Sequence, residues 1–338
     1  MRNIFIVKMS SFLYILFSLF FILIATFRGM TRDTDVYKEV YNNILYYPLG
    51  VSEFYSITGM ELGYGVLAYP FKYLDLPFII FLFFFSFLTF FFIGKAANNF
   101  KINSFFVLIC YFPVFFANHQ LMQIRQGLAV ATVYFALSIL MSSEKKVKAY
   151  LFFTFSVFFH NVAFVFLLFL SKKINTFIAN KKYFIMKIIF IFIFTIIFCR
   201  FITLFDFLTI TDRIANYSGS EYAEERSIFH PVNIRAFLLL VLFVLFRLKD
   251  SIIYNFLLLL NTIGVAIRFG FYDFLILSGR LSTIFTFSEI FLISFLLCNR
   301  MRLPYAYLFL FLYFIFSLYL NLVYQVPFII DDYFKPLR

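Results

Sequence analysis

Long apolar runs alternate with short polar connections along almost the whole chain. The runs at 4–27, 77–94, 104–118, 122–141, 183–207, 232–248, 251–269, 281–298 and 304–325 are predominantly apolar. Most come close to the ~20 residues that a helix needs to cross a hydrocarbon core roughly 30 Å thick. The pattern predicts an all-α, polytopic integral membrane protein of about 9–11 transmembrane helices. Residues 4–27 are too long for a signal peptide and lack a small-residue cleavage site, so they are expected to be an uncleaved first span. Nine crossings put the N-terminus inside and the C-terminus outside.

The segment 149–171 does not fit simple alternation. Lys145, Lys146 and Lys148 precede it, and Lys172, Lys173, Lys181 and Lys182 follow it. A single crossing would carry one lysine cluster outside, against the positive-inside bias. A re-entrant pair of half-helices turning near His160-Asn161 keeps both clusters inside and is the expected arrangement. A single irregular span is the alternative. Non-helical backbone at that depth is tolerated only where it is buried in protein or lines a polar cavity.

Composition agrees with the pattern. Hydrophobic residues make up 63% of the chain, charged residues 14%, and mean hydropathy is +0.93. A soluble domain is about 45–50% apolar and about 25% charged. The net charge of +12 is spread over short connections, with no basic tail or soluble domain, so nucleic acid is not an expected partner. The 59 Phe and absence of Trp, with abundant Ile and Lys, point to an AT-rich coding sequence and a bacterial origin. The spacing of Cys110, Cys199 and Cys298 matches neither a metal site nor a disulfide framework. No linker or convincing repeat divides the chain, so 1–338 is expected to be one membrane domain. Its extracytoplasmic segments are expected at about 28–76, 208–231 and 270–280, with 60–74 as an interfacial helix.

Charge adds a second signal. On this topology the cytoplasmic side holds 12 Lys and 4 Arg, and the opposite side 3 Lys and 10 Arg. Lysine follows the positive-inside rule, which does not explain arginines on the other face. Arginine suits bidentate contact with phosphate or carboxylate. The sorting therefore predicts an anionic, phosphate-bearing substrate at the extracytoplasmic face.

Several constellations could carry such chemistry. Arg28-Gly-Met-Thr-Arg32-Asp33-Thr34-Asp35-Val-Tyr37 begins where the first span ends and mixes anion-binding with acidic groups. Its Asp33-Thr34-Asp35 triplet resembles a nucleotide-sugar metal motif but lies on the side without nucleotide-sugars. Glu61-Leu-Gly63-Tyr64-Gly65 sets a carboxylate beside an aromatic ring, with glycines that permit close backbone approach. Gln123-Ile-Arg125-Gln126-Gly127-Leu-Ala129-Val-Ala131 opens an apolar helix with an arginine. An arginine there is costly unless it is paired or faces a polar cavity. A phosphate docked at the helix N-terminus would make it favourable. His160 stands alone in an apolar run, where an ionisable group in a membrane points to function. Arg213 and Arg280, the latter in Ser278-Gly279-Arg280-Leu281, flank other spans on the same side.

The order R…D-T-x-x-Y, E-x-G-Y, Q-x-R-Q-x-x-A, F-H and G-R-L resembles the EpsG family of bacterial polysaccharide polymerases. That family is related in role to the Wzy O-antigen and capsule polymerases. Two positions depart from the family pattern: Thr31-Arg32 stand before Asp33 in place of a glycine-threonine pair, and Val162 replaces a small hydroxyl residue. The resemblance implies a glycosyltransferase that joins undecaprenyl-diphosphate-linked oligosaccharide repeat units at the outer face of the inner membrane. It implies an inverting, metal-independent transfer without cofactor, similar to that of lipid-dependent GT-C enzymes. Arg28, Arg125, Arg213, Arg280, Gln126, Asp33 and Tyr37 would hold the diphosphate and substrate. His160, then Glu61, then Asp35 are the candidate bases. A chain-length regulator and a flippase are candidate protein partners. Two other classes remain open: a flippase or exporter of lipid-linked sugars, which should show two repeated halves, and another lipid-dependent transferase such as an O-antigen ligase.

Overall fold

The computed structural model describes residues 2–142, 146–171, 182–204 and 227–336. Every regular element among them is helical. Eight helices are long and apolar enough to cross a membrane: Met9–Thr26, Phe78–Asn99, Ser104–Met122, Ile124–Ser142, Phe184–Thr203, Ile252–Gly270, Ser278–Arg300 and Leu303–Gln325. The ninth expected span appears as Pro231–Leu245, which has 15 residues. At 1.5 Å per residue it is roughly 22 Å long, short of the core thickness. The chain is therefore a polytopic, all-helical membrane protein.

The helices form two compact units, residues 1–168 with 301–338, and residues 169–300. In the first unit, α1 (Arg2–Thr26) leads into three short helices, α2 (Thr34–Asn43), α3 (Val51–Thr58) and α4 (Leu62–Tyr73). Three spans follow: α5 (Phe78–Asn99), α6 (Ser104–Tyr111) continued by a π-helix (Phe112–Met122), and α7 (Ile124–Ser142). Helix α7 is the centre of the unit, 83% buried, and α1 lies at its edge, 28% buried. The small residues Gly127, Ala129 and Ala131 let neighbours approach α7 closely. α8 (Lys146–Phe159) packs against α7 and gives way at His160 to a 3₁₀ helix (Asn161–Leu170).

Ring contacts show that the chain turns back at His160. The Phe152 ring lies 4.7 Å from Phe135, and Phe166 lies 6.3 Å from Tyr134, the adjacent residue of α7. A straight α then 3₁₀ run would separate positions 152 and 166 by roughly 24 Å. The chain therefore forms a helical hairpin with its turn at the expected residues. Phe159 packs on Phe85 and Phe152 on Phe92, so α8 runs antiparallel to α5.

The second unit surrounds Ile252–Gly270, which is 78% buried, whereas Phe184–Thr203 is only 11% buried and presents an apolar surface. The interior holds an ion pair between Arg235 and Glu289, both buried. Near one end of the unit, Arg200 pairs with Asp273 at 2.8 Å and lies 4.1 Å over the Tyr272 ring. Each of these arginines thus has a carboxylate partner in its own unit.

The hairpin has a direct topological consequence. Reporters fused after residue 142 and after residue 183 should read the same side of the membrane. Opposite readings would show that 149–171 crosses.

Candidate functional site

The site is built where α1 ends. Arg28 lies two residues beyond the helix and folds inward, 1% exposed. Its Nη1 donates to the Gln120 carbonyl oxygen at the end of the π-helix. Last-turn carbonyls lack intrahelical partners and carry partial negative charge, so they suit a cation. Nε and Nη2 of Arg28 are buried with no hydrogen-bond partner among the described residues. Burial lowers its pKa to about 10, partly offset by Tyr37, Tyr64 and Asp33. It remains charged at neutral pH.

The chain holds this arginine from both sides. Thr31 donates its hydroxyl to the Leu121 carbonyl and shares a 2.7 Å hydrogen bond with the Thr34 hydroxyl. The C-terminal segment adds a strap. Gly29 N–H donates to Tyr333 O at 2.8 Å, Met30 N–H to Lys335 O at 3.1 Å, and the Tyr333 hydroxyl to Ile24 O at 3.0 Å. A Cβ at position 29 would collide with the Lys335 and Tyr333 carbonyls, so glycine is required there.

Helix α2 turns Thr34, Tyr37, Val40 and Tyr41 inward, at helical i, i+3, i+4 spacing. The Tyr37 and Tyr64 rings stack at 5.5 Å, and the Tyr64 hydroxyl donates to Tyr37 O at 2.7 Å. Burial raises the pKa of both phenols, so they stay neutral donors. Arg125, the second residue of α7, hydrogen-bonds the Tyr37 side chain and lies 5.7 Å from its ring centroid. Tyr37 interacts electrostatically with Arg28 as well, so it neighbours both guanidinium groups. Asp33 is an electrostatic neighbour of both arginines.

Arg125 Nη1 is paired with Glu61 Oε2. Glu61 occupies the N-cap position of α4 but makes no capping bond to its own helix. Its Oε1 instead accepts the Asn161 N–H at 3.2 Å, at the hairpin turn. His160 Nδ1 accepts the Val162 N–H at 3.2 Å, and His160 O accepts the Ala163 N–H at 3.0 Å. The first N–H groups of the 3₁₀ helix are thus taken by Glu61 and His160, as helix starts require. Two glycines permit this convergence. A Cβ on Gly63 would lie 2.5 Å from Phe158 O, and one on Gly127 2.5 Å from His119 O.

The structure therefore brings Arg28, Asp33, Tyr37, Glu61, Arg125 and His160 into one cluster. Gln126 is buried at 1% on α7 beside Arg125. Asp35 is exposed on the outer face of α2, away from Tyr37 and the cluster. Arg280 sits half-buried on the helix Leu275–Thr286 of the second unit. Arg213 and most of the 208–231 connection lie outside the described residues.

Sequence reasoning missed His119 and Gln120, and named Thr31 and Tyr64 without giving either a role in the site. His119 is fully buried on the π-helix, with its ring 5.4 Å from Phe115, and it is an electrostatic neighbour of His160. Gln120 is buried and donates to the Tyr111 hydroxyl at 3.0 Å. The available signal is the polar run Asn118-His119-Gln120 closing an apolar span. Among the described residues no three His, Cys, Asp or Glu side chains converge as a metal site.

These features define a polytopic membrane protein with one fully buried guanidinium group, Arg28, and a second, Arg125, paired with a carboxylate at the hairpin turn that carries His160. The chain belongs to the EpsG family, which it matches over residues 11–336. Family membership makes it a polymerase-like membrane protein of polysaccharide biosynthesis, glycosyltransferase-like at a coarse level. The comparisons with curated proteins and with solved structures each return no match.

The glycine contacts give a stability test. Gly63→Ala forces the Phe158 backbone to move and should cost about 1–3 kcal/mol, typical of overpacking. Gly279→Ala meets open space, with nothing within 4 Å of the added Cβ, and should be neutral or slightly stabilising. Thermal unfolding in detergent compares the two, and equal midpoints would contradict the packing.

Proposed function

We propose that this protein joins undecaprenyl-diphosphate-linked oligosaccharide repeat units at the extracytoplasmic face of a bacterial inner membrane. The observation that supports this most is Arg28. Among the described residues this guanidinium group is buried with two unpartnered nitrogens, and its neighbour Tyr37 also interacts with Arg125, so the site calls for an oxyanion that delivers several acceptor oxygens at once. A diphosphate at the membrane surface meets that need. The lysine and arginine sorting supports the outer face as its location.

The reaction follows from the charges. Donor diphosphate binds Arg28 and Arg125, with Tyr37 contributing a neutral hydroxyl. The hydroxyl oxygen of the acceptor unit attacks the anomeric carbon of the donor sugar. The bond from that carbon to the diphosphate oxygen breaks, and its electron pair stays on the leaving undecaprenyl diphosphate. Negative charge grows on that oxygen in the transition state, where preorganised guanidinium groups stabilise it. The acceptor proton passes to a group at the hairpin turn, where Glu61 and His160 meet. One displacement inverts the anomeric centre.

Purified protein given a single synthetic lipid-linked repeat unit should produce a ladder of longer glycans. Arg28→Lys and Arg125→Lys keep the charge but lose the planar fork. Loss of such buried contacts typically costs about 2–5 kcal/mol, so polymer should fall roughly 30- to several thousand-fold. Near-normal ladders from Arg28→Ala at matched expression would contradict the diphosphate clamp.

A further inference from the structure

We propose that Glu61 is a base released by substrate: the incoming donor diphosphate takes its place on Arg125, and the freed carboxylate oxygen then accepts the proton of the acceptor hydroxyl. This inference rests on the polymerase reading and adds an order of events to it.

The argument begins with where the carboxylate is engaged. An acidic residue at an N-cap ordinarily closes its own helix. Glu61 leaves that bond unmade and joins two distant elements instead, Arg125 of α7 through Oε2 and the Asn161 N–H through Oε1. Both oxygens are therefore occupied in the resting protein. The pair is largely buried, with 18% and 11% side-chain exposure, so water competes weakly for either partner.

A diphosphate carries more negative charge than one carboxylate and matches the guanidinium fork bidentately. It therefore displaces Oε2, while the Asn161 N–H continues to hold Oε1. The released oxygen stays tethered at the hairpin turn with a vacant lone pair. His160 is less suited to the task. Its Nδ1 already accepts the Val162 N–H, so the neutral ring carries its proton on Nε2 and presents a donor. The proton leaves the acceptor hydroxyl for Glu61 Oε2 as the new sugar bond forms. When undecaprenyl diphosphate departs, Glu61 gives that proton to water and reforms its pair with Arg125. The acceptor hydroxyl thus finds a base only after donor is bound, so a lone acceptor is not activated.

The test is a split between binding and turnover in Glu61→Gln. Undecaprenyl diphosphate is the binding probe, titrated onto purified protein in nanodiscs. A neutral amide competes poorly for Arg125, so the variant should bind about tenfold tighter than wild type. Ladder formation should fall about 10²–10⁴-fold, the range for a lost general base. Tighter binding also reports that the variant is folded. Should Glu61→Gln not fold, Glu61→Asp serves, because the shorter side chain cannot span both partners and should show the same split at smaller amplitude. Weaker binding and lost turnover together would make Glu61 a strut for Arg125 and overturn the proposal. Normal turnover in Glu61→Gln would overturn it too. Wild-type protein that neither binds the probe nor makes a ladder would remove the polymerase reading itself, and the released base with it.

Discussion

A guanidinium group buried to 1%, with no ion-pair partner among the described residues, is the constraint on which this structure turns. Burying a charge without its counter-charge is strongly unfavourable. The protein offsets only part of that cost, with the Gln120 carbonyl and with Tyr37, Tyr64 and Asp33 nearby. Arg125, Arg200 and Arg235 show the ordinary solution, since each is paired with a carboxylate. Arg28 is held in place instead by a strap from the C-terminus and by hydrogen bonds to the π-helix end. That arrangement fixes the guanidinium group in place without a counter-charge of its own among the described residues.

Two irregularities in the first unit, the π-helix and the hairpin turn, serve the same cluster. The π-helix Phe112–Met122 presents the Gln120 and Leu121 carbonyls to Arg28 and Thr31. Such helices recur at functional sites because they redirect backbone groups. Asn321 supports it by donating to the Pro113 and Val114 carbonyls at 3.1 and 3.3 Å. The hairpin turn exposes the N–H groups of Asn161 and Val162, and Glu61 and His160 accept them. Irregular backbone within a membrane domain needs such partners, and here the partners are the chemistry-bearing side chains.

The spans were legible because apolar length alone determines them. The hairpin was legible through lysines on both of its flanks, a signal set by insertion rather than by packing. Arg28, Arg125, Glu61 and His160 stood out because charged or ionisable groups in or beside membrane spans are expensive. Asp35 is a candidate base in sequence, but it lies on α2 opposite the buried Thr34, Tyr37 and Tyr41, and only packing decides which face of that helix turns inward. His119 was hidden for the opposite reason. A π-helix extends the span beyond its α-helical end, and no hydropathy pattern marks that change of winding. The pairing of Glu61 with Arg125 joins positions 64 residues apart, which periodicity cannot reveal.

The most direct measurement is a structure of the protein bound to undecaprenyl diphosphate. Phosphate oxygens should lie about 2.7–2.9 Å from Nε or Nη2 of Arg28, the range for charge-assisted hydrogen bonds, and should contact Arg125 as well. A diphosphate bound elsewhere, with both Arg28 nitrogens still unfilled, would contradict the clamp.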